Sequence, residues 1–129
     1  MAKQRIFISF DYDHDEDIKK MLVGQEKHPD TPFSFTDASV KEHLAGDWEA
    51  KVKRRLANCD QMLVLCGEKT HTAGGVSAEL ELAQELDMPY FLIWGRSGKT
   101  CYKPKAAFSG DKIYKWTWDN LEALIKGGR

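Results

Sequence analysis

The chain is poor in cysteine. Only Cys59, Cys66 and Cys101 occur among its 129 residues, none of them in a CxxC pair, so a disulfide framework is not expected and a reducing, cytoplasmic setting is. Net charge is nearly absent as well: 19 Lys and Arg against 20 Asp and Glu leave −1. A domain that grips the phosphate backbone is expected to be clearly basic, so nucleic acid is not an expected partner. Long hydrophobic runs are missing. The longest, such as Met62-Leu63-Val64-Leu65-Cys66, are strand-sized, far below the ~20 residues that cross a bilayer, and no membrane partner is expected. Met1 to Arg5 leads straight into a strand pattern with no signal-peptide character.

Several catalytic signatures are also lacking. No GxGxxG follows the first strand, which removes the usual cradle for a dinucleotide pyrophosphate. Ser97-Gly98-Lys99-Thr100 imitates the end of a phosphate loop, but the first glycine of that motif would fall on Ile93, inside a strand. This stretch reads instead as a solvated basic loop. The acids Asp11 to Asp17 suggest the metal-holding acids of a phospho-receiver, yet the third strand ends in Leu65-Cys66-Gly67 with no acceptor Asp. His14, His28, His43 and His71 show no HExxH spacing, and the cysteines offer no thiolate pair, so no metal site is expected. There is no GxSxG nucleophile elbow.

What is present is an ordinary globular composition, 42% apolar and 30% charged, long enough for one domain over residues 1–129 and too short for two. Strand-like runs near 5–10, 33–37, 61–66, 90–94 and 112–115 alternate with helical stripes. The first helix is expected from Asp13 to Lys27, with Ile18, Met21 and Leu22 on one face. Asp13, Asp15, Glu16 and Asp17 form a solvated, dipole-matched start, and Pro29 and Pro32 bracket its exit. The second helix starts behind Asp47 as N-cap and carries Trp48, Val52, Leu56 and Cys59 inward, with Lys51, Lys53 and Arg54 outward. A third runs from about Gly75 to Leu86, and a fourth from Trp118 to Ile125. This alternation builds a parallel sheet between two helical layers, and five strands favour the flavodoxin-like order 2-1-3-4-5. Sites in such folds lie beyond the carboxyl ends of the strands.

Glu79 stands out on that frame. At ~100° per residue it falls inside the apolar arc of Val76, Leu80, Leu82, Ala83 and Leu86, whereas Glu81 and Glu85 face outward. A carboxylate in a buried stripe is costly without partners. Two readings stand side by side: a structural Glu bonded to nearby N–H groups, or a carboxylate presented to a cleft beside the glycines before it.

A resemblance bears on that choice. Arg5-Ile6-Phe7-Ile8-Ser9-Phe10-Asp11-Tyr12-Asp13 resembles the opening of TIR-like domains, in particular the bacterial and archaeal branch with the Thoeris TIR proteins. Phe33 to Val40 resembles that branch's second strand and following loop, and Gly67-Glu68-Lys69-Thr70 with Val76 to Ala83 resembles its third-helix motif. The resemblance implies a flavodoxin-like TIR fold in which Glu79 drives cleavage of the nicotinamide–ribose bond of NAD⁺. Phe10 and Asp11 would line the nicotinamide side, with Ser39 and Trp48 bordering the same cleft. It further implies NAD⁺ as substrate rather than cofactor and an ADP-ribose-derived signal read by a separate effector protein in antiviral (antiphage) defence. Self-association through TIR–TIR contacts would use the Ala38–Gly46 loop. TIR-like domains also serve as non-catalytic interaction modules, and that alternative stays open. One position departs: Gly75 stands where the family carries Trp, which implies either a wider pocket or a member without catalysis.

Overall fold

The computed structural model describes residues 4–25, 31, 33–39 and 47–127. Five strands, β1 (Gln4–Ser9), β2 (Phe33–Ala38), β3 (Gln61–Cys66), β4 (Tyr90–Trp94) and β5 (Ile113–Lys115), form one parallel sheet in the order β2-β1-β3-β4-β5. Helices α1 (Tyr12–Gln25), α2 (Trp48–Ala57), α3 (Gly74–Glu85) and α4 (Trp118–Ile125) cover its faces. The expected flavodoxin-like parallel fold and strand order are therefore present.

Alternation along each strand sends side chains to opposite layers. Ile6, Ile8, Phe10, Leu63, Leu65, Phe91 and Ile93 meet α1 and α4 through Ile18, Leu22, Leu121, Leu124 and Ile125. Phe7, Met62, Val64 and Leu92 meet α2 and α3 through Val52, Leu56, Val76 and Leu80. The central strand β3 is buried at every residue, which explains its unbroken apolar run. Between β1 and β2 the register shifts: Ile6 faces Phe35, but Phe7 faces Asp37, so Thr36 is an extra residue in β2.

Several local expectations change. The expected first-helix end at Lys27 and its flanking prolines lie outside the described residues. Asp47 precedes α2, but its side chain makes no cap bond; it pairs with Lys51 Nζ at 3.5 Å. Helix α3 ends at Glu85, and Leu86, expected on the buried arc, is 45% exposed. The reason is Asp87, whose φ of 53° places it in the left-handed region and turns the chain out of the helix. Ser97 to Thr100, after β4, are exposed as expected of a solvated loop, but Arg96 just before them reaches back to α1. That approach needs Gly95: a Cβ there would lie 2.6 Å from Ile18 Cδ1 and 2.8 Å from the Cys66 carbonyl oxygen.

Candidate functional site

The cleft forms where β1 ends. Ser9, the last residue of β1, points to the α2–α3 layer, and its hydroxyl donates to Glu79 Oε1 at 2.7 Å. Ser39, just past β2, donates to the same oxygen at 2.5 Å, while its Oγ accepts the Phe10 N–H at 3.1 Å. Glu79 is 5% exposed and lies in the second turn of α3. Its burial is thus offset by two hydroxyl donors, each of which would leave an expensive unpaired group if removed. The sequence arc correctly turned Glu79 inward, and Glu81 and Glu85 are exposed.

The opposite wall is the β1–α1 turn. Asp11 is buried; its Oδ1 accepts the Asp13 N–H at 3.2 Å, and its Oδ2 lies 2.7 Å from His14 Nδ1. Phe10 packs against Tyr12 with ring centroids 5.8 Å apart. Trp48, the first residue of α2, is half-buried and closes the third side. The residues singled out from the sequence, Glu79, Phe10, Asp11, Ser39 and Trp48, all line one cleft of about 240 Å³ together with Tyr12, Asp13, His14 and the start of α3.

Sequence reasoning missed Ser9 and His14. Ser9 could have been found from alternation, since it shares the face of Phe7, and His14 from its three-residue spacing to Asp11. The expectation that Asp15 is part of a solvated helix start is corrected: it is 1% exposed and bonded through Oδ1 to Arg96 Nε at 3.2 Å and Nη2 at 3.1 Å. Arg96 also donates to Asp17 Oδ1 at 2.7 Å and to the His14 carbonyl at 2.9 Å, tying the first turn of α1 to the end of β4. Burial pushes the Asp15 carboxyl above its usual range, with Arg96 pulling the other way. Gly67 lies against this carboxyl, since a Cβ there would fall 2.2 Å from Asp15 Oδ2.

A second ion pair supports the β2 end. Arg55 Nε and Nη2 donate to the two Asp37 oxygens at 2.8 and 2.6 Å and hold that carboxyl below its usual range. All three cysteines are free and buried; burial pushes the Cys59 thiol up to about 11 and raises Cys66 and Cys101, so none is a ready nucleophile. Among the described residues no helix is long and apolar enough to cross a membrane. Residues 40–46, which hold most of the loop expected to mediate self-association, lie outside the described residues.

Comparison with known proteins adds two findings. The family model described as "Thoeris protein ThsB, TIR-like domain" matches residues 7–100. Among solved structures, the TIR domain of the Toll-related receptor TRR-2 from Hydra magnipapillata superposes with a TM-score of 0.64 at 14% identity, covering 95% of this chain and 98% of that one. That likeness speaks for the fold. No curated protein sequence matches the chain.

Proposed function

The chain belongs to the TIR-like domain family of the Thoeris protein ThsB, and from that premise we propose that it cleaves the nicotinamide–ribose bond of NAD⁺ to make an ADP-ribose-derived signal in antiphage defence. The observation that carries the reading is Glu79, a carboxylate buried at the strand ends and held by Ser9 and Ser39 in a cleft. Asp11 and Asp13 line the same cleft, and no lysine or arginine does among the described residues. Such a lining suits a cationic head group.

The chemistry fits this charge pattern. The nicotinamide ring of NAD⁺ carries the positive charge. When the C1′–N bond breaks, its electron pair leaves with nicotinamide and the charge moves to the ribose. A fixed carboxylate beside that ribose stabilises the transition state more than the ground state. Water then adds at C1′ and releases a proton, which gives ADP-ribose. A nucleophile within the same molecule gives a cyclised product instead. Ser9 and Ser39 hold Glu79 in one rotamer while this occurs, and Phe10 and Trp48 restrict water.

A non-catalytic interaction module is the second reading, and Gly75 favours it. A Cβ at Gly75 would meet nothing within 4 Å, so the site lacks the bulk that the family's Trp supplies. Incubating the purified protein with NAD⁺ separates the two. Free nicotinamide is expected from wild type and from Glu81→Gln, and not from Glu79→Gln. If wild type releases none even when assembled, the enzymatic reading fails and the module reading replaces it.

A further inference from the structure

The candidate cleft is too small and carries the wrong charge to hold a whole dinucleotide. Its volume of about 240 Å³ lies below the roughly 300–1,000 Å³ of pockets that enclose drug-sized ligands. Among the described residues its charged lining is Asp11, Asp13 and Glu79, which would repel a pyrophosphate. The anionic half of the substrate must therefore leave this cleft, and the structure offers a place for it.

A second cleft of about 570 Å³ lies on the other side of a shared wall made by Phe10, Tyr12 and Ser39. It runs between β2 and α1 and is lined by Lys19 and Lys20 over an apolar base that includes Val23 and Phe35. The acids of this cleft are already engaged. Asp37 is held by Arg55, and Glu16 pairs with Lys20 at 3.3 Å and bonds Tyr12. Lys19 forms no ion pair among the described residues, and its Nζ lies 5.9 Å from the Phe10 ring centroid, so the ammonium sits at the shared wall. The uncommitted charge of the second cleft is thus positive and adjoins the negative one. Polarity along the two clefts matches a nicotinamide dinucleotide, cationic at the head and dianionic at the pyrophosphate.

We propose that the β2–α1 cleft is the pyrophosphate subsite for the substrate bound at Glu79, with Lys19 meeting the phosphate charge. This rests on the NAD⁺ reading above and extends it to how the molecule lies: head over Glu79, phosphates across the Phe10–Tyr12 wall. Lys19 is half-buried at the α1 surface and its side chain makes no hydrogen bond among the described residues, so its replacement should leave the fold intact.

The test uses two probes, each carrying one half of the charge pattern. ADP-ribose has the pyrophosphate and no nicotinamide; nicotinamide riboside has the cation and no phosphate. Calorimetric titration of both is run on wild type, Lys19→Met, Lys19→Glu and the remote control Lys126→Met, with melting curves to verify folding. We expect Lys19→Met to weaken ADP-ribose about tenfold, the usual size of a charge-assisted hydrogen bond in a half-buried position. Lys19→Glu should weaken it further, both variants should bind nicotinamide riboside as wild type does, and added salt should weaken ADP-ribose less in Lys19→Met than in wild type. The subsite is overturned if ADP-ribose does not bind wild type, or if folded Lys19→Glu binds it equally well. Nicotinamide release by wild type, measured in parallel, reports separately on the NAD⁺ reading. Release with Lys19 variants unaffected in ADP-ribose binding sinks the subsite alone; Lys19-dependent ADP-ribose binding without release sinks the cleavage reading alone.

Discussion

Replacing Arg96 by Met should cost about 3 kcal/mol at neutral pH, and most of that cost should vanish in acid. Asp15 is almost fully buried, Arg96 is its side-chain partner through Oδ1, and Oδ2 has no hydrogen-bond partner among the described residues. Removing one member of a buried pair costs ~3–5 kcal/mol because it strands the other charge. Arg96 is itself 24% exposed, so water can enter the vacated place and the lower end applies. The lost contact to Asp17, 64% exposed, adds little. The pH dependence follows from the direction of the shift. Asp15 already titrates above its usual range, so its contribution to stability is greatest in acid and falls as pH rises from the ordinary ~3.9 through the raised folded value. Without Arg96 the carboxyl rises further, and the deficit against wild type should be largest near pH 7 and shrink towards pH 5. Urea unfolding at both pH values measures it. Asp15→Asn combined with Arg96→Met should be more stable at pH 7 than Arg96→Met alone, since the stranded charge is gone. A deficit under ~1 kcal/mol, or one equal at both pH values, would refute the account.

Glu79→Gln should remain folded and lose at least ~100-fold in nicotinamide release, as when a fixed electrostatic group is removed, while Glu81→Gln stays active. Trp48→Ala, at a half-buried ring lining the cleft, should cost about 1–3 kcal/mol in melting experiments, below the ~3–5 for a fully buried Trp, and should weaken ligand binding more visibly. Gly67→Ala should destabilise by at least ~1–3 kcal/mol, because its Cβ would fall 2.6 Å from Asp15 Cγ; an unchanged denaturation midpoint would show that the Asp15 side chain can move aside. Gly75→Ala, in open space on α3, should stabilise by about 0.5–1 kcal/mol through helix propensity alone, and a lower melting temperature would count against that.

The sheet was legible because its signals are local. Apolar runs such as Met62 to Cys66 and the stripe of Val52 and Leu56 report burial directly, and all five strands and four helices lie where those patterns fall. Glu79 was legible for the same reason, as a charge at an apolar phase of a helix. Asp15 was not. In a run of acids it resembles its solvated neighbours, and its partner Arg96 lies 81 residues away with no pattern linking them. Leu86 misled because periodicity continues past the point where Asp87 turns the chain. Asp47 misled because a capping residue type does not guarantee a capping rotamer.

Thr36 decides the parity of everything after it on β2. Phe33 and Phe35 pack into the α1–α4 layer, and strict alternation would send Asp37 and Ser39 the same way. The extra residue reverses the count, so Asp37 meets Arg55 on α2 and Ser39 meets Glu79 on α3. Deleting one exposed threonine would therefore make the strand regular and leave both halves facing as they do, whereas ironing out the irregularity with every residue kept would swing a carboxylate into hydrocarbon and withdraw a hydroxyl from Glu79. Length, at this position, is as much a chemical property as side-chain identity: a relative with one residue fewer between Phe35 and the serine would reach the same layer with a regular strand, and one of equal length without the irregularity would match every functional residue type and still present Ser39's counterpart to the wrong layer.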